Sequence, residues 1–178
     1  MQQSTSRLKN HQDDLVISYG GHSNKGDKSE NQDAFALKKN QGLSLELKGH
    51  IAVIADGVSS ANCAAKASQI GTCHFIDEYM ATPETWSIKH AATKVISSLN
   101  RWLYAQQLVA DDQGRLEQWF TTFTALILKG NLGHLFHIGD CQVAKINKSG
   151  YQVLTKEHAS ISGTLNRALG AGTHVEID

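Results

Sequence analysis

His50-Ile51-Ala52-Val53-Ile54-Ala55-Asp56-Gly57 holds the longest apolar run of the chain, and that run leads without a break into an acid and a glycine. Its β-branched residues point to both faces, which is the pattern of a buried central strand rather than of a strand with one wet side. Asp-Gly then ends the strand. That dipeptide is a common turn former, and it also leaves a carboxylate at the edge of a sheet.

Upstream, Asp33-Ala34-Phe35-Ala36-Leu37 reads as a second strand, and Lys38 to Gly42 as a turn. The stretch His22 to Glu30 carries Ser, Asn, Gly, Asp and Lys and reads as a loop. Leu15-Val16-Ile17-Ser18-Tyr19 reads as a short strand ended by Gly20-Gly21, and residues 1–13 as a polar tail.

Downstream, residues 61–80 predict a helix whose small residues, such as Ala64 and Ala67, allow close approach to a sheet. Thr82-Pro83-Glu84 predicts the start of a second helix, with Thr as N-cap and Pro in the first turn. Val95, Leu99, Trp102 and Leu103 form its apolar stripe, and Asp111-Asp112-Gln113-Gly114 ends it. Four strands follow: Phe120 to Lys129, His134 to Ile138, Gln142 to Ile146 and Tyr151 to Leu154. Short glycine-containing turns join them, so they predict an antiparallel meander. Asn166 to Leu169 predicts one helical turn. Strands, then a helix pair, then strands is an α+β order, not the strict alternation of a parallel α/β fold.

Composition narrows the function. The 178 residues are 40% hydrophobic and 19% charged, a globular balance within one domain's usual size. Lys+Arg and Asp+Glu both number 17, so the chain has no general electrostatic grip on nucleic acid or anionic lipid. No run is long enough to span a membrane, and the N-terminus has no apolar signal core. Cys63, Cys73 and Cys141 are too few and too scattered for a disulfide framework, which predicts a reducing, cytoplasmic setting.

The chemistry lies in acids at strand ends: Asp33, Asp56 and Asp140. Carboxylates so placed converge on one edge of a sheet, and hard divalent cations take such oxygen ligands. Gly57 would let the backbone approach an ion. His134 and His137 lie three apart in a strand and face opposite ways, so they make no joint ligand pair. Zinc, phosphate-loop and nucleophile-elbow patterns are absent. The residues alone leave two readings open, ordinary turns or an oxygen-ligand metal site.

Six fragments in order resemble the metal-dependent protein serine/threonine phosphatases of the PP2C (PPM) family. They are Lys28-Ser29-Glu30-Asn31-Gln32-Asp33-Ala34, Val53-Ile54-Ala55-Asp56-Gly57-Val58, Thr122-Phe123-Thr124-Ala125, Leu135-Phe136-His137-Ile138-Gly139-Asp140, Leu154-Thr155-Lys156-Glu157-His158 and Asn166-Arg167-Ala168-Leu169-Gly170. Asp56 to Ser60, Glu84 to Lys89 and Trp102 to Gln106 are similar to a bacterial branch in which the phosphatase precedes a protein kinase domain and a membrane anchor.

The resemblance implies a β-sandwich of antiparallel sheets flanked by helices, over residues 14–178. It implies two Mn²⁺ or Mg²⁺ ions, whose bridging water attacks phosphoserine or phosphothreonine of a protein substrate. By motif, Asp56 bridges both ions, Gly57 gives its carbonyl, Asp33 ligates through water, and Asp140 stands where a third, weaker ion is held. Asp56 and Asp33 are thus the catalytic candidates and Lys28 the phosphate-binding one. The implied partners are a phosphoprotein and a protein kinase in the same or a neighbouring reading frame.

Lys28 stands where most members have Arg, and Cys141-Gln142 where Ser-Arg is usual. The family's two later metal-ligand aspartates lie beyond the match, so the sandwich is expected to be incomplete at the C-terminus, about 60–80 residues short of a phosphatase domain. The alternative expectation is a non-catalytic, truncated phosphatase-fold module that binds a phosphoprotein or a partner chain. Either way, uncovered strand edges and an apolar face are expected to make the chain aggregate or lean on a partner.

Overall fold

A computed structural model describes residues 16–108, 110, 113–160 and 164–178. In chain order the elements are β1 (Asp33–Lys38), α1 (Gly42–Lys48), β2 (His50–Asp56), α2 (Ala64–Ala81), α3 (Ile88–Gln106), β3 (Phe123–Lys129), β4 (Leu132–Ile138), β5 (Ala144–Asn147) and β6 (Gly150–Val153). Strands β1 to β4 form one antiparallel sheet in the order β1-β2-β3-β4, and β5 and β6 form a separate antiparallel hairpin.

The stretch 50–56 is an interior strand, as its composition predicts. One of its faces carries Ile51, Val53 and Ala55, all buried against the helices. The other face carries Ile54, which is 37% exposed, directly opposite Phe35 of β1 at 41%. Among the described residues, that second apolar face is left partly open.

Helix α2 lies on β1 and β2 through small residues, and Ala67, Ser68, Gly71 and Thr72 are all buried. Phe75 and Tyr79 complete that face, with the Phe75 ring edge-on to Phe123 of β3 at 5.1 Å. Each such aromatic stabilises the fold by about 1.5–3 kcal/mol through burial. Helix α3 packs on α2 through Val95, Ile96, Leu99 and Leu103.

The second helix does not begin at Thr82. Ser87 is the N-cap, its hydroxyl accepting the His90 N–H at 3.2 Å. Thr82 instead caps the end of α2: its hydroxyl donates to the Tyr79 carbonyl at 2.7 Å and accepts from the buried Lys48 ammonium at 2.7 Å. Thr-Pro therefore serves as a helix exit, and a turn with Trp86 N–H bonded to the Pro83 carbonyl precedes α3.

Residues 16–19 form no strand, and Val16 is 97% exposed; Leu15 and the expected tail over 1–13 lie outside the described residues. The Asp111-Asp112 pair lies outside them as well. Residues 166–169 are not helical. Leu169 exchanges backbone hydrogen bonds with Thr121 at 2.8 and 3.2 Å, and the buried Asn100 side chain accepts the Gly170 N–H at 2.9 Å. Those tertiary bonds replace the local ones a helical turn would offer. Helix α1 has no counterpart in the sequence reading, because Leu43, Leu45 and Leu47 repeat every second residue, a strand period. Gly49, at φ 74°, ends it by returning its N–H to the Leu45 carbonyl.

Candidate active site

Antiparallel pairing sets Asp33, the first residue of β1, directly opposite Asp56, the last of β2. Opposed positions place side chains within about 5 Å, and like charges there repel. The sheet spends stability to hold both carboxylates at one edge.

Asp56 is clamped through its backbone. Its N–H donates to the Thr122 hydroxyl at 2.8 Å, and its carbonyl accepts the Thr122 N–H at 2.8 Å and the Thr121 hydroxyl at 3.0 Å. Its side chain is differently placed: Oδ1 is buried and has no hydrogen-bond partner. Burial pushes the Asp56 carboxyl up to about 6, helped by a hydrogen bond and repulsion from Asp33; Lys28 opposes the rise and Asp140 adds to it.

The loop before β1 is tied to the same edge. Asn31 accepts the Asp33 N–H at 3.1 Å and donates to the Ser23 hydroxyl at 2.8 Å. The Gln32 carbonyl accepts the Gly57 N–H at 2.9 Å, and its side chain accepts the Ser59 hydroxyl at 3.0 Å. A cleft of about 310 Å³ opens here, lined in part by His22, Ser23, Asp33, Asp56 and Cys141.

Gly57 has a packing reason. A Cβ there would strike the Ala64 backbone carbonyl where α2 begins, so the close approach that demands glycine is to a helix. Gly139, at φ 110°, leads into the exposed Asp140, and a Cβ at Gly139 would come within 2.6 Å of the Thr122 Cβ. Thr122 thus supports both acid-bearing turns.

The sequence reading assigned no site role to Thr122 or Cys141. The Cys141 thiol lies 3.1 Å from the Thr122 hydroxyl, and burial pushes it up from the usual thiol range. Asp33 and Asp56 are brought together, with Lys28 and Asp140 close enough for their charges to act on Asp56. Among the described residues, no three His, Cys, Asp or Glu side chains gather as a group able to hold a metal. A larger cleft of about 500 Å³ lies between α2 and α3, beside Trp86 and Trp102 and without the paired acids, so size alone does not select the site.

The profile of the family described as Protein phosphatase 2C matches residues 20–168. The chain belongs to the protein phosphatase 2C family. The family consists of protein serine/threonine phosphatases, and the match spans the paired acids and the Gly139-Asp140 turn.

Solved phosphatases share the fold. Stp1 from Staphylococcus aureus is similar at 16% identity and TM-score 0.70, over 88% of this chain and 67% of that one. PppA of Pseudomonas aeruginosa is similar at 16% identity and TM-score 0.64, over 85% of this chain and 64% of that one. The serine/threonine phosphatase of S. agalactiae is similar at 19% identity and TM-score 0.65, over 93% of this chain and 71% of that one. This phosphatase 2C chain thus spans about two thirds of the length of those proteins. No curated protein matches it in sequence. Among the described residues, no helix is long and apolar enough to cross a membrane.

Proposed function

We propose that this phosphatase 2C chain forms one phosphatase domain over residues 14–178 and takes part in metal-dependent hydrolysis of phosphoserine and phosphothreonine esters in a protein substrate. One observation carries the reading: the Asp56 carboxylate has a buried, unpartnered oxygen and faces the Asp33 carboxylate. A buried anionic oxygen with no N–H or O–H partner is costly unless a cation completes it. Carboxylate and carbonyl oxygens are the donors that Mn²⁺ and Mg²⁺ prefer, so the residues present fit such an ion.

Asp56 and Asp33 would hold the ions with the Gly57 carbonyl, and Asp140 would serve a third, weaker one. When bound, such ions lower the pKa of water and neutralise charge on a phosphoryl group. The chain's own residues supply the rest. The β1–β2 register fixes the two carboxylates, and the threonine clamp holds the Asp56 backbone. Asp56 must shed its proton to bind a cation, so its raised pKa makes acid compete with metal. Lys28 brings the positive charge that a phosphate needs, as a point charge rather than the two-pronged fork of Arg.

On the same reading the substrate is a phosphoprotein in bacterial, cytoplasmic signalling, and the partner is a protein kinase encoded in the same or a neighbouring reading frame.

A second reading is a non-catalytic module that binds a phosphoprotein or a partner chain. It draws on the lack, among the described residues, of a three-side-chain metal group. Calorimetry with Mn²⁺ separates the two. Saturable binding by the chain, lost in Asp56→Ala, is expected; no binding supports the module.

A further inference from the structure

His158 lies after β6, far in sequence from either paired acid, yet it holds the turn that carries Asp140. The residue is 7% exposed. Its Nδ1 accepts the Gly139 N–H at 3.0 Å, and the backbone N–H of His158 returns a bond to the Gly139 carbonyl at 2.8 Å. An amide N–H only donates, so Nδ1 must present a lone pair and the ring proton sits on Nε2. That Nε2–H donates to Asp178 Oδ2 at 3.0 Å. Asp178 is fixed in turn: Arg167 donates to its Oδ1 at 2.7 Å, and its backbone exchanges bonds with His137 of β4 at 2.9 and 3.1 Å. The Arg167 guanidinium also comes within 3.2 Å of Nε2; with the proton on Nε2 this is a donor–donor approach bridged by the shared carboxylate.

A carboxylate partner that selects the tautomer of a histidine, and so the group presented by its other nitrogen, is a recurrent device around metal sites. Here the other nitrogen meets a backbone amide one residue before Asp140.

We propose that His158 is a positioning residue for Asp140: Asp178 sets its tautomer, and the ring then locks the Gly139-Asp140 turn at the rim of the acidic site. The proposal rests on the phosphatase reading for its purpose and on the hydrogen-bond chain for its substance.

Two amides imitate the two ring nitrogens separately. In His158→Asn the side-chain oxygen takes the place of Nδ1 and keeps the bond from Gly139. In His158→Gln the amide nitrogen takes the place of Nε2, keeping Asp178 and losing Gly139. Amide hydrogen exchange of Gly139, read by NMR in the full chain without metal, is the first measurement. Exchange about five- to tenfold faster in His158→Gln, the effect of one net hydrogen bond, is expected, with His158→Asn within about twofold of the parent. Mn²⁺ affinity, read from the free Mn²⁺ signal in electron paramagnetic resonance, follows the same order. Asp178→Ala, at a more exposed position, frees the tautomer and also speeds Gly139 exchange, which keeps the test open if His158→Gln fails to fold.

Equal exchange in the Asn and Gln variants overturns the proposal, as does unchanged exchange in Asp178→Ala. A parent chain that binds Mn²⁺ but releases no phosphate refutes the phosphatase reading and leaves the positioning role standing. If the parent binds no Mn²⁺, the exchange comparison alone decides.

Discussion

The Thr122 hydroxyl accepts the backbone N–H of Asp56 at 2.8 Å, so a side chain entering β3 fixes the end of β2. Thr122 is 2% exposed, and water cannot replace the bond. Thr122→Val keeps the shape and leaves that N–H without an acceptor, at a cost of about 1–3 kcal/mol. Thr122→Ser keeps the acceptor and loses only a methyl group. Urea unfolding should rank the variants parent, Ser, Val; equal midpoints for Ser and Val would show that the hydroxyl is not what holds Asp56.

Asp33 and Asp56 repel one another when both are charged. The Asp56 carboxyl, pushed up to about 6 from 3.8, binds its proton more tightly in the folded chain than in the unfolded one. The folded state therefore holds more protons between those two values, and stability falls as pH rises through that window. In EDTA, Asp56→Asn should flatten the fall and stabilise the chain above pH 6 by about 1 kcal/mol, after allowance for solvent screening. Thermal melts from pH 4 to pH 8 read this directly, and a variant less stable than the parent at pH 7 would contradict it.

The Gly57 position tests the packing account. Its missing Cβ makes room for the Ala64 carbonyl at the start of α2. Gly57→Ala should destabilise the chain by about 2 kcal/mol or more, because backbone cannot yield as a flexible side chain does. A melting temperature equal to the parent's would mean that α2 is not seated against this strand end.

Phe35 and Ile54 are cross-strand partners on the sheet face turned away from the helices, at 41% and 37% exposure. An apolar pair left open favours association. Sedimentation of the 178-residue chain should show concentration-dependent association, reduced in Ile54→Lys. A monomer at all concentrations would oppose this, as would association unaffected by the charge.

Much of this was legible in the sequence where a local signal exists. The β2 stretch, the glycine-bearing turn between β3 and β4 and the small-residue face of α2 each carry a period or a turn that needs no knowledge of the rest. Asp33 and Asp56 were readable as strand-end acids. That they stand directly opposite is a matter of register, which forms only when β1 pairs with β2. Thr122 and His158 had no local signal as supports, since each acts on a residue brought near by folding. Thr-Pro after Ala81 misled because it serves a helix exit as readily as an entry, and the choice was made by the buried Lys48, 34 residues away. Helix α1 had no helical signal to read, since Leu43, Leu45 and Leu47 repeat every second residue and the helix forms against that period.

The most direct test of the central claim is phosphate release from a phosphothreonine peptide by the chain, with Mn²⁺ and with EDTA, in the parent and in Asp56→Ala. The paired-acid site predicts release that requires Mn²⁺ and falls by at least about a hundredfold in Asp56→Ala. Release that persists in EDTA, or that survives the loss of Asp56, would contradict it.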